Sequence, residues 1–261
     1  MVNNLQYFMK YPILTLLLLF AAFSLKAQDG PQLYNMDFDT WSKNSGAWDL
    51  HPSRPAPGQK VWDTANHALN ALGINGTVPE YKHVAVPGEG KAAVKIVSKK
   101  VVWAFVAGNL YTGRFGRVVG LSGAELDFGV PFTARPKSLS GYLHYIPATI
   151  DYAREPYLEM KGKTDVGRIE VILTDWDKPR HIATHDEPFF DGTSDPHVIG
   201  RAVLDLTRNT GGYIPFDIPI RYNNGKTPKY VVITAASSWY GAFFTGGNGS
   251  TLYLDELQFN Y

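Results

Sequence analysis

Short runs of β-favouring residues, separated by turn signals, constrain the fold of this chain more than any other feature. Pro, Gly and Asn stand between the runs, as is typical of strand ends. The runs cover residues 92–97, 101–106, 138–146, 168–174, 198–205, 213–220, 230–237 and 250–261. The best helical candidate, residues 65–72, is short and stops at Gly73. Strands at this spacing without long helices predict an all-β fold, a jelly-roll-like β-sandwich.

The last run shows the clearest alternation with a period of two. Because successive side chains of a strand point to opposite faces, the run predicts two sets of residues. One face would carry Leu252, Leu254, Glu256 and Gln258, and the other Tyr253, Asp255, Leu257 and Phe259.

The first 27 residues have the pattern of a secretory signal peptide. Lys10 precedes an apolar run over residues 11–25, and a small residue, Ala27, ends the segment. The run has about 15 residues, fewer than the roughly 20 of a membrane-spanning helix. We therefore expect export to the periplasm, the outer surface or the medium, and no membrane span in residues 28–261. Those residues are predicted to form a single domain whose start, up to about residue 90, is an irregular Trp-rich extension.

Charge and cysteine content exclude several functional classes. The chain has 25 Lys and Arg against 24 Asp and Glu, so it lacks the basic excess that a general nucleic-acid binder needs. It has no Cys, which excludes disulfides, thiolate zinc sites and Cys nucleophiles.

Aromatic residues next to polar ones are candidates for a sugar-binding surface. Aromatic faces pack on the C–H patches of a sugar, and amides or carboxylates bind its hydroxyls. The candidate ligand-binding residues are Trp62, Asp63, Asn66, Tyr142, Trp239 and Tyr240, with Trp103 and Tyr145 as further platforms. The alternative for each aromatic residue is a place in the hydrophobic core.

A structural Ca²⁺ site is a second hypothesis, because Ca²⁺ prefers clustered oxygen ligands. Asp37 and Asp39 lie near the start of the domain and Asp255 lies in its last strand. The first and last strands of jelly-roll binding modules are neighbours, so the three carboxylates could converge. The alternative is a solvated pair and an edge carboxylate.

A hydrolytic carboxylate pair is a third hypothesis. Asp175 and Asp177 are about 6.6 Å apart along an extended strand, within the range for an inverting glycosidase. Asp63 is a weak candidate as a catalytic partner. The alternative for Asp175 and Asp177 is turn chemistry before Pro179.

Several segments together resemble the PCMD family, the "putative carbohydrate metabolism domain" of secreted bacterial proteins. They are NMDFDTW (35–41), VWDTAN (61–66), GKAAV (90–94), AGNLYTGRF (107–115), ASSWYGAFFTGG (236–247) and STLYLDEL (250–257). The second segment departs from the family's usual Trp-Trp-Ser-Thr-Ala-Asn. The resemblance implies a jelly-roll fold similar to carbohydrate-binding modules, and a role in glycan handling.

The sequence thus favours an exported glycan-binding protein of a polysaccharide-utilisation system, with a poly- or oligosaccharide as its partner. One alternative is a glycoside hydrolase or lyase on the same scaffold, which requires two facing carboxylates. The other is a structural or adhesion protein, which requires Trp62, Trp239 and Tyr240 all to be buried. The sequence leaves the oligomeric state open.

Overall fold

The chain folds as an antiparallel, all-β sandwich. A computed structural model describes residues 30–87, 90–101, 104–119, 123–184, 190 and 192–261. The predicted signal peptide and Trp103 lie outside the described residues. Besides strands, the described residues form one short α-helix, α1 (Asn66–Asn70), and 3₁₀ turns at Leu158–Met160 and Trp239–Phe243. No helix in these ranges is both long and apolar enough to cross a membrane.

The strands of the described residues range from two residues in β3 to eleven in β8. They are β1 (Ser42–Asn44), β2 (Ala47–Asp49), β3 (Trp62–Asp63), β4 (Thr77–Glu80), β5 (Ala93–Val97), β6 (Lys99–Val101), β7 (Ala104–Val106), β8 (Asn109–Val119), β9 (Gly123–Phe128), β10 (Val130–Pro131), β11 (Ser138–Ile146), β12 (Gly167–Thr174), β13 (Arg180–Ala183), β14 (Val198–Leu206), β15 (Ile214–Pro219), β16 (Arg221–Tyr222), β17 (Tyr230–Ala236) and β18 (Thr251–Asn260).

Two sheets make the sandwich. The large sheet has the strand order β13-β9-β8-β17-β12-β14-β16, with β3 paired to β8 and β10 paired to β17. The small sheet has the order β15-β11-β18-β5-β4. The pairs β1–β2 and β6–β7 form separate two-stranded hairpins. The strands of each sheet come from distant parts of the chain, so long-range pairing holds the domain together.

Alternate residues of each strand fill the space between the sheets. Ile169, Val171 and Leu173 of β12 are fully buried and face Leu252 and Leu254 of β18 in one continuous core. Their intervening residues therefore lie on the outer face of the large sheet. That outer face carries a second apolar cluster, which includes Ile172, Val232 and Trp176.

The N-terminal segment is largely irregular, as predicted, but two of its short strands join the sheets. β3 pairs with β8 in the large sheet, and β4 pairs with β5 in the small sheet. Trp62 is 1% exposed and belongs to the main core. The predicted helix over residues 65–72 is confirmed as α1.

The predicted alternation along the last strand holds only as far as Asp255. Leu252, Leu254, Leu257 and Phe259 all lie in the core, so the pattern shifts by one residue. The shift is a bulge, because Ser140 pairs with Gln258 while Tyr142 pairs with Asp255. Glu256 has a φ of 49°, in the left-handed region. After this bulge the odd-numbered residues Leu257 and Phe259 point into the core, whereas before it the even-numbered residues Leu252 and Leu254 do.

A buried carboxylate, Asp165, fixes the segment between β17 and β18. It is 0% exposed, and its Oδ2 accepts hydrogen bonds from Ser238 Oγ, Ser250 Oγ and the backbone N–H of Gly247. Its Oδ1 accepts from the N–H of Val166. Burial raises the pKa of Asp165, and the four hydrogen bonds act in the opposite direction. The carboxylate thus ties the start of β12 to both ends of the segment.

We expect Asp165→Ala to lower the free energy of unfolding by about 3 kcal/mol, because it leaves buried donors without an acceptor. Asp151→Ala is the matched control, since Asp151 is exposed and accepts one N–H, from Asn248 of the same segment. It should cost less than about 1 kcal/mol. Urea denaturation of the two variants measures the difference, and equal losses would contradict this account of the network.

Candidate ligand-binding site

The outer face of the large sheet forms the floor of a pocket of about 390 Å³. Strands β8, β12 and β17 supply the floor, and α1 and the 3₁₀ turn Trp239–Phe243 contribute to its walls. Leu72 lines the pocket and is 55% exposed, so the pocket reaches the protein surface. This volume is in the range of small-molecule sites.

A row of polar residues crosses the floor, one from each of four neighbouring strands. Glu170 pairs directly with Thr234, Thr234 with Tyr111, and Tyr111 with Asp63. Residues that are directly opposite each other in antiparallel strands share a face. Glu170, Thr234 and Tyr111 line the pocket, and Asp63 stands at the end of the row.

The two carboxylates of this row already have partners. Glu170 is 4% exposed and its Oε1 accepts a hydrogen bond from Arg201 Nε at 2.6 Å. Asp63 is 8% exposed and accepts from the backbone N–H groups of Thr64 and Phe115. Their charges are therefore compensated within the protein.

Tyr111 differs from these two carboxylates. It is 4% exposed, and its hydroxyl has no hydrogen-bond partner among the described residues. Burial, and to a smaller extent the charge of Asp63, raise the pKa of Tyr111 far above its usual value. The hydroxyl therefore stays protonated, and it lies enclosed within the protein.

Trp239 lies on the wall of the pocket beside a fixed ion pair. The guanidinium of Arg168 lies 3.7 Å from the centre of the Trp239 ring. Asp205 accepts two hydrogen bonds from Arg168, at 2.5 and 3.0 Å, and so holds the guanidinium in place. Trp239 is partly exposed, so this surface combines an aromatic ring with hydrogen-bonding groups that solvent can reach.

Tyr240 extends the aromatic surface away from the pocket. Its ring lies 4.7 Å from that of Tyr157, and Tyr157 contacts Phe243 edge to face. Burial raises the pKa of Tyr240, and the neighbouring Tyr157 adds to the shift. The structure thus places two predicted sugar-contacting residues, Trp239 and Tyr240, on one 3₁₀ turn.

Trp62 and Asn66 are corrections to the predicted ligand-binding set, because both are only 1% exposed. Trp62 Nε1 donates to the carbonyl of Tyr34. The Asn66 amide donates to the carbonyls of Trp48 and Thr77 and accepts from backbone N–H groups. Asp63 likewise accepts backbone N–H groups, so all three residues hold the N-terminal segment in place. Tyr145 is also a core residue.

Tyr142 lies on the opposite side of the sandwich from Trp239. It belongs to β11 and shares the outer face of the small sheet with His144. Nδ1 of His144 is 2.8 Å from Nε2 of His83. Burial, and then the neighbouring His83, lower the pKa of His144. The predicted sugar-contacting residues therefore do not form a single surface.

The predicted catalytic pair, Asp175 and Asp177, lacks the environment of a general acid. Asp175 is bonded to Lys226 and His197, which lower its pKa. Lys229 likewise lowers the pKa of the exposed Asp177. A glycosidase acid requires the opposite shift, so this geometry gives the pair no support as catalytic groups.

The three carboxylates of the calcium hypothesis lie in one region but bind backbone amides. Asp255 accepts from the N–H groups of Ala85 and Glu256, and Asp39 accepts from Ala92. Asp37 accepts from the N–H of Asp39. Within the described ranges, no group of three or more His, Asp or Glu side chains is arranged to hold a metal ion. The calcium site stays a prediction without structural support.

The sequence analysis missed Arg168, Glu170 and Tyr111. A signal for the first two was present, since Arg168 and Glu170 alternate with Ile169 and Val171 in a predicted strand. That alternation places both charges on the face away from the core. Tyr111 lies in β8, which carried no clear strand pattern.

Comparisons with known proteins agree with this architecture. The family described as "Putative carbohydrate metabolism domain" matches residues 37–260. A structure titled as a putative glycoside hydrolase from Bacteroides thetaiotaomicron has a TM-score of 0.68 at 20% identity, covering 90% of this chain and 72% of its own. Another with the same description, from Bacteroides vulgatus, has a TM-score of 0.66 at 20% identity, covering 88% and 98%. No curated protein matches the chain. At these identities the likeness shows the fold.

Asp255 provides a pH test of this region. Burial raises its pKa to about 6, and Asp39 and Asp37 contribute in the same direction. The folded state therefore holds this proton more tightly than the unfolded state, where the pKa is about 3.9. The stabilising effect of this proton is lost as the pH rises through 6. Relative to Asp255→Asn, we expect the wild-type protein to gain stability between pH 7 and pH 4 in thermal unfolding.

A constant difference between the two proteins over this pH range would contradict the raised pKa. The same curves with saturating Ca²⁺ and with chelator test the calcium hypothesis. A bound cation would stabilise the wild-type protein above pH 6 and leave Asp255→Asn unchanged.

Proposed function

The chain belongs to the family described as "Putative carbohydrate metabolism domain", and from this premise we propose that it binds a saccharide beside Trp239. The proposed ligand is a poly- or oligosaccharide. Export belongs to the same proposal, with residues 1–27 as the signal peptide. The protein would then meet glycans outside the cytoplasm, as part of a polysaccharide-utilisation system.

The arrangement of Trp239, Arg168 and Asp205 carries the proposal. Sugar recognition needs an apolar face for C–H groups and charged or amide groups for hydroxyls. The face of the Trp239 ring that Arg168 does not cover supplies the first, and the Arg168–Asp205 pair supplies the second beside the ring. The side chain of Asp205 is 44% exposed, so a hydroxyl can reach it.

A second ion pair continues the same surface along β12. Glu170 lies two residues after Arg168 and on the same face, about 6.6 Å further along the strand. Glu170 pairs with Arg201 of β14, just as Arg168 pairs with Asp205 of β14. The β12–β14 ladder therefore carries two Arg–carboxylate pairs, and in the second pair Glu170 is buried while Arg201 is partly exposed.

The hydrolase alternative receives less support from the carboxylates around the pocket. Glu170 and Asp63 stand three strands apart, which is about 14 Å between their backbones. A glycosidase pair requires about 5–9.5 Å between its carboxyl groups. Both groups are also held by partners within the protein. Binding without cleavage is the function that this geometry supports best.

The structural or adhesion alternative requires three aromatic residues to be buried. Trp62 meets that condition, but Trp239 and Tyr240 are partly exposed. The same alternative excludes a concave site, and the outer face of the large sheet has a pocket. These observations favour ligand binding.

Replacing Trp239 tests the proposal. The wild-type protein is first screened on an array of plant, bacterial and animal glycans, and its strongest ligand is then measured by calorimetry. We expect Trp239→Ala to weaken that ligand by at least about tenfold, because it removes the aromatic platform.

Tyr222→Ala is the matched control, since Tyr222 is a half-buried aromatic residue with Arg135 stacked at 4.0 Å, on the edge strand β16. It should leave the affinity unchanged within about twofold. Failure of every glycan to bind, or equal losses in the two variants, would overturn the proposal.

A further inference from the structure

A second concavity lies on the outer face of the large sheet, at the edge formed by β14 and β16. It has a volume of about 540 Å³, and its lining includes two arginines, Arg201 and Arg221, and, among the described residues, no Asp or Glu. Asn223 and Thr193 add polar groups to it. Arg201 also bonds to Glu170, which lines the first pocket, so the two concavities adjoin each other.

The two arginines stand directly opposite each other. Arg201 of β14 pairs with Arg221 of β16 on one side and with Ile172 of β12 on the other. Ile172 belongs to the apolar cluster of the outer face, so both arginines lie on that face. Directly opposed like charges destabilise a pair of strands. An anion between the two side chains would replace this repulsion with attraction.

The positive charge of this concavity is compensated only in part by the described residues. Arg201 donates through Nε to Glu170, and its side chain is 28% exposed. Arg221 is exposed and forms no ion pair or side-chain hydrogen bond within that part of the chain. A guanidinium carries five N–H donors in a planar fork, which matches the oxygens of a carboxylate or of a tetrahedral oxyanion. The concavity therefore presents an excess of positive charge in a form suited to oxyanions.

The Trp239 surface lies on the same face as these arginines. Asp205, the partner of Arg168 beside Trp239, is four residues after Arg201 on β14, which is about 13 Å along the strand. Asp205 and Arg201 share the outer face, because side chains alternate and their separation is an even number of residues. A ligand that contacts both places must be longer than one sugar ring, in agreement with an oligosaccharide.

We propose that Arg201 and Arg221 bind an anionic group of the saccharide, so that the ligand is an acidic oligosaccharide carrying carboxylate or sulfate groups. This inference rests on the proposed function, since the Trp239 surface would hold another ring of the same molecule. The chemistry that the two sources share is an oxyanion, which accepts charge-assisted hydrogen bonds from both guanidinium groups.

Chemically neutralised ligands test the charge requirement. Oligosaccharides of polygalacturonate, alginate and chondroitin sulfate are compared in calorimetry with the same oligosaccharides after carboxyl reduction or desulfation, at one fixed ionic strength. We expect at least one acidic form to bind, and to lose at least about tenfold in affinity when its anionic group is removed. A loss on carboxyl reduction identifies a carboxylate, and a loss on desulfation identifies a sulfate. Equal binding of charged and neutral forms, or no binding of any acidic form, would overturn the proposal.

Variants of the two arginines locate the anion. Arg221→Gln should weaken the acidic ligand at least about fivefold and leave any binding of its neutralised form unchanged. Arg201→Lys keeps a cation beside the buried Glu170 but removes the forked donors, so it should also weaken the acidic ligand. Arg117→Gln is the control for charge, because it removes an exposed arginine of β8, four strands and about 19 Å from β16. Equal losses in Arg221→Gln and Arg117→Gln would contradict the proposed site.

Inorganic sulfate separates this inference from the proposed function, because it is an oxyanion without a sugar. Sodium sulfate replaces sodium chloride at constant ionic strength while the Nε–H signals of the arginines are followed by NMR. The signals of Arg201 and Arg221 should shift with one common saturation curve, and the signal of Arg117 should stay in place. Absence of this shift would overturn the anion site.

The Trp239→Ala variant completes the separation. If it binds the acidic oligosaccharide as tightly as the wild-type protein, and the sulfate shift is present, the Trp239 site fails while the anion site stands. If only neutral glycans bind, and Trp239→Ala weakens them, the proposed function stands and the anion site fails.

Discussion

The buried carboxylate of Asp165 is the interaction on which the ligand-binding face depends. The segment between β17 and β18 begins with two buried polar residues, Ser237 and Ser238, and not with apolar core residues. Their hydroxyls bond to Ser98 and, through Ser238, to Asp165. Trp239 follows immediately, and its N–H donates to the carbonyl of Val166, next to Asp165. The position of the exposed ring is therefore set by a polar network beneath it.

The sequence predicted the sandwich well where strands are apolar and regular, as in β11, β12 and β17. It failed where glycine interrupts the pattern, and β8 is the main example. Gly113 has a φ of 151°, and a Cβ there would lie 2.2 Å from the carbonyl oxygen of Asp127. A Cβ at Gly116 would lie 2.8 Å from the carbonyl oxygen of Glu125. Glycine here permits close strand packing, although glycine in a sequence usually indicates a turn.

The candidate site was harder to predict than the fold, because aromatic residues occur both in cores and in binding surfaces. Trp62 and Trp239 each stand near polar residues in the sequence, yet only Trp239 is exposed to solvent. The difference arises from topology. β3 brings Trp62 between the sheets, where it packs on Phe38, whereas Trp239 follows the end of β17. No local pattern distinguishes these two environments.

The polar row of Glu170, Thr234, Tyr111 and Asp63 has a consequence for how this site can change during evolution. Its members are aligned by backbone pairing across four strands and not by a flexible loop. A single-residue insertion within β17 would turn Thr234 toward the core and bring Ile233 outward, because side chains alternate along a strand. Diversification of ligand preference should therefore proceed by replacing side chains in place or by lengthening the surrounding loops, while strand length stays constant.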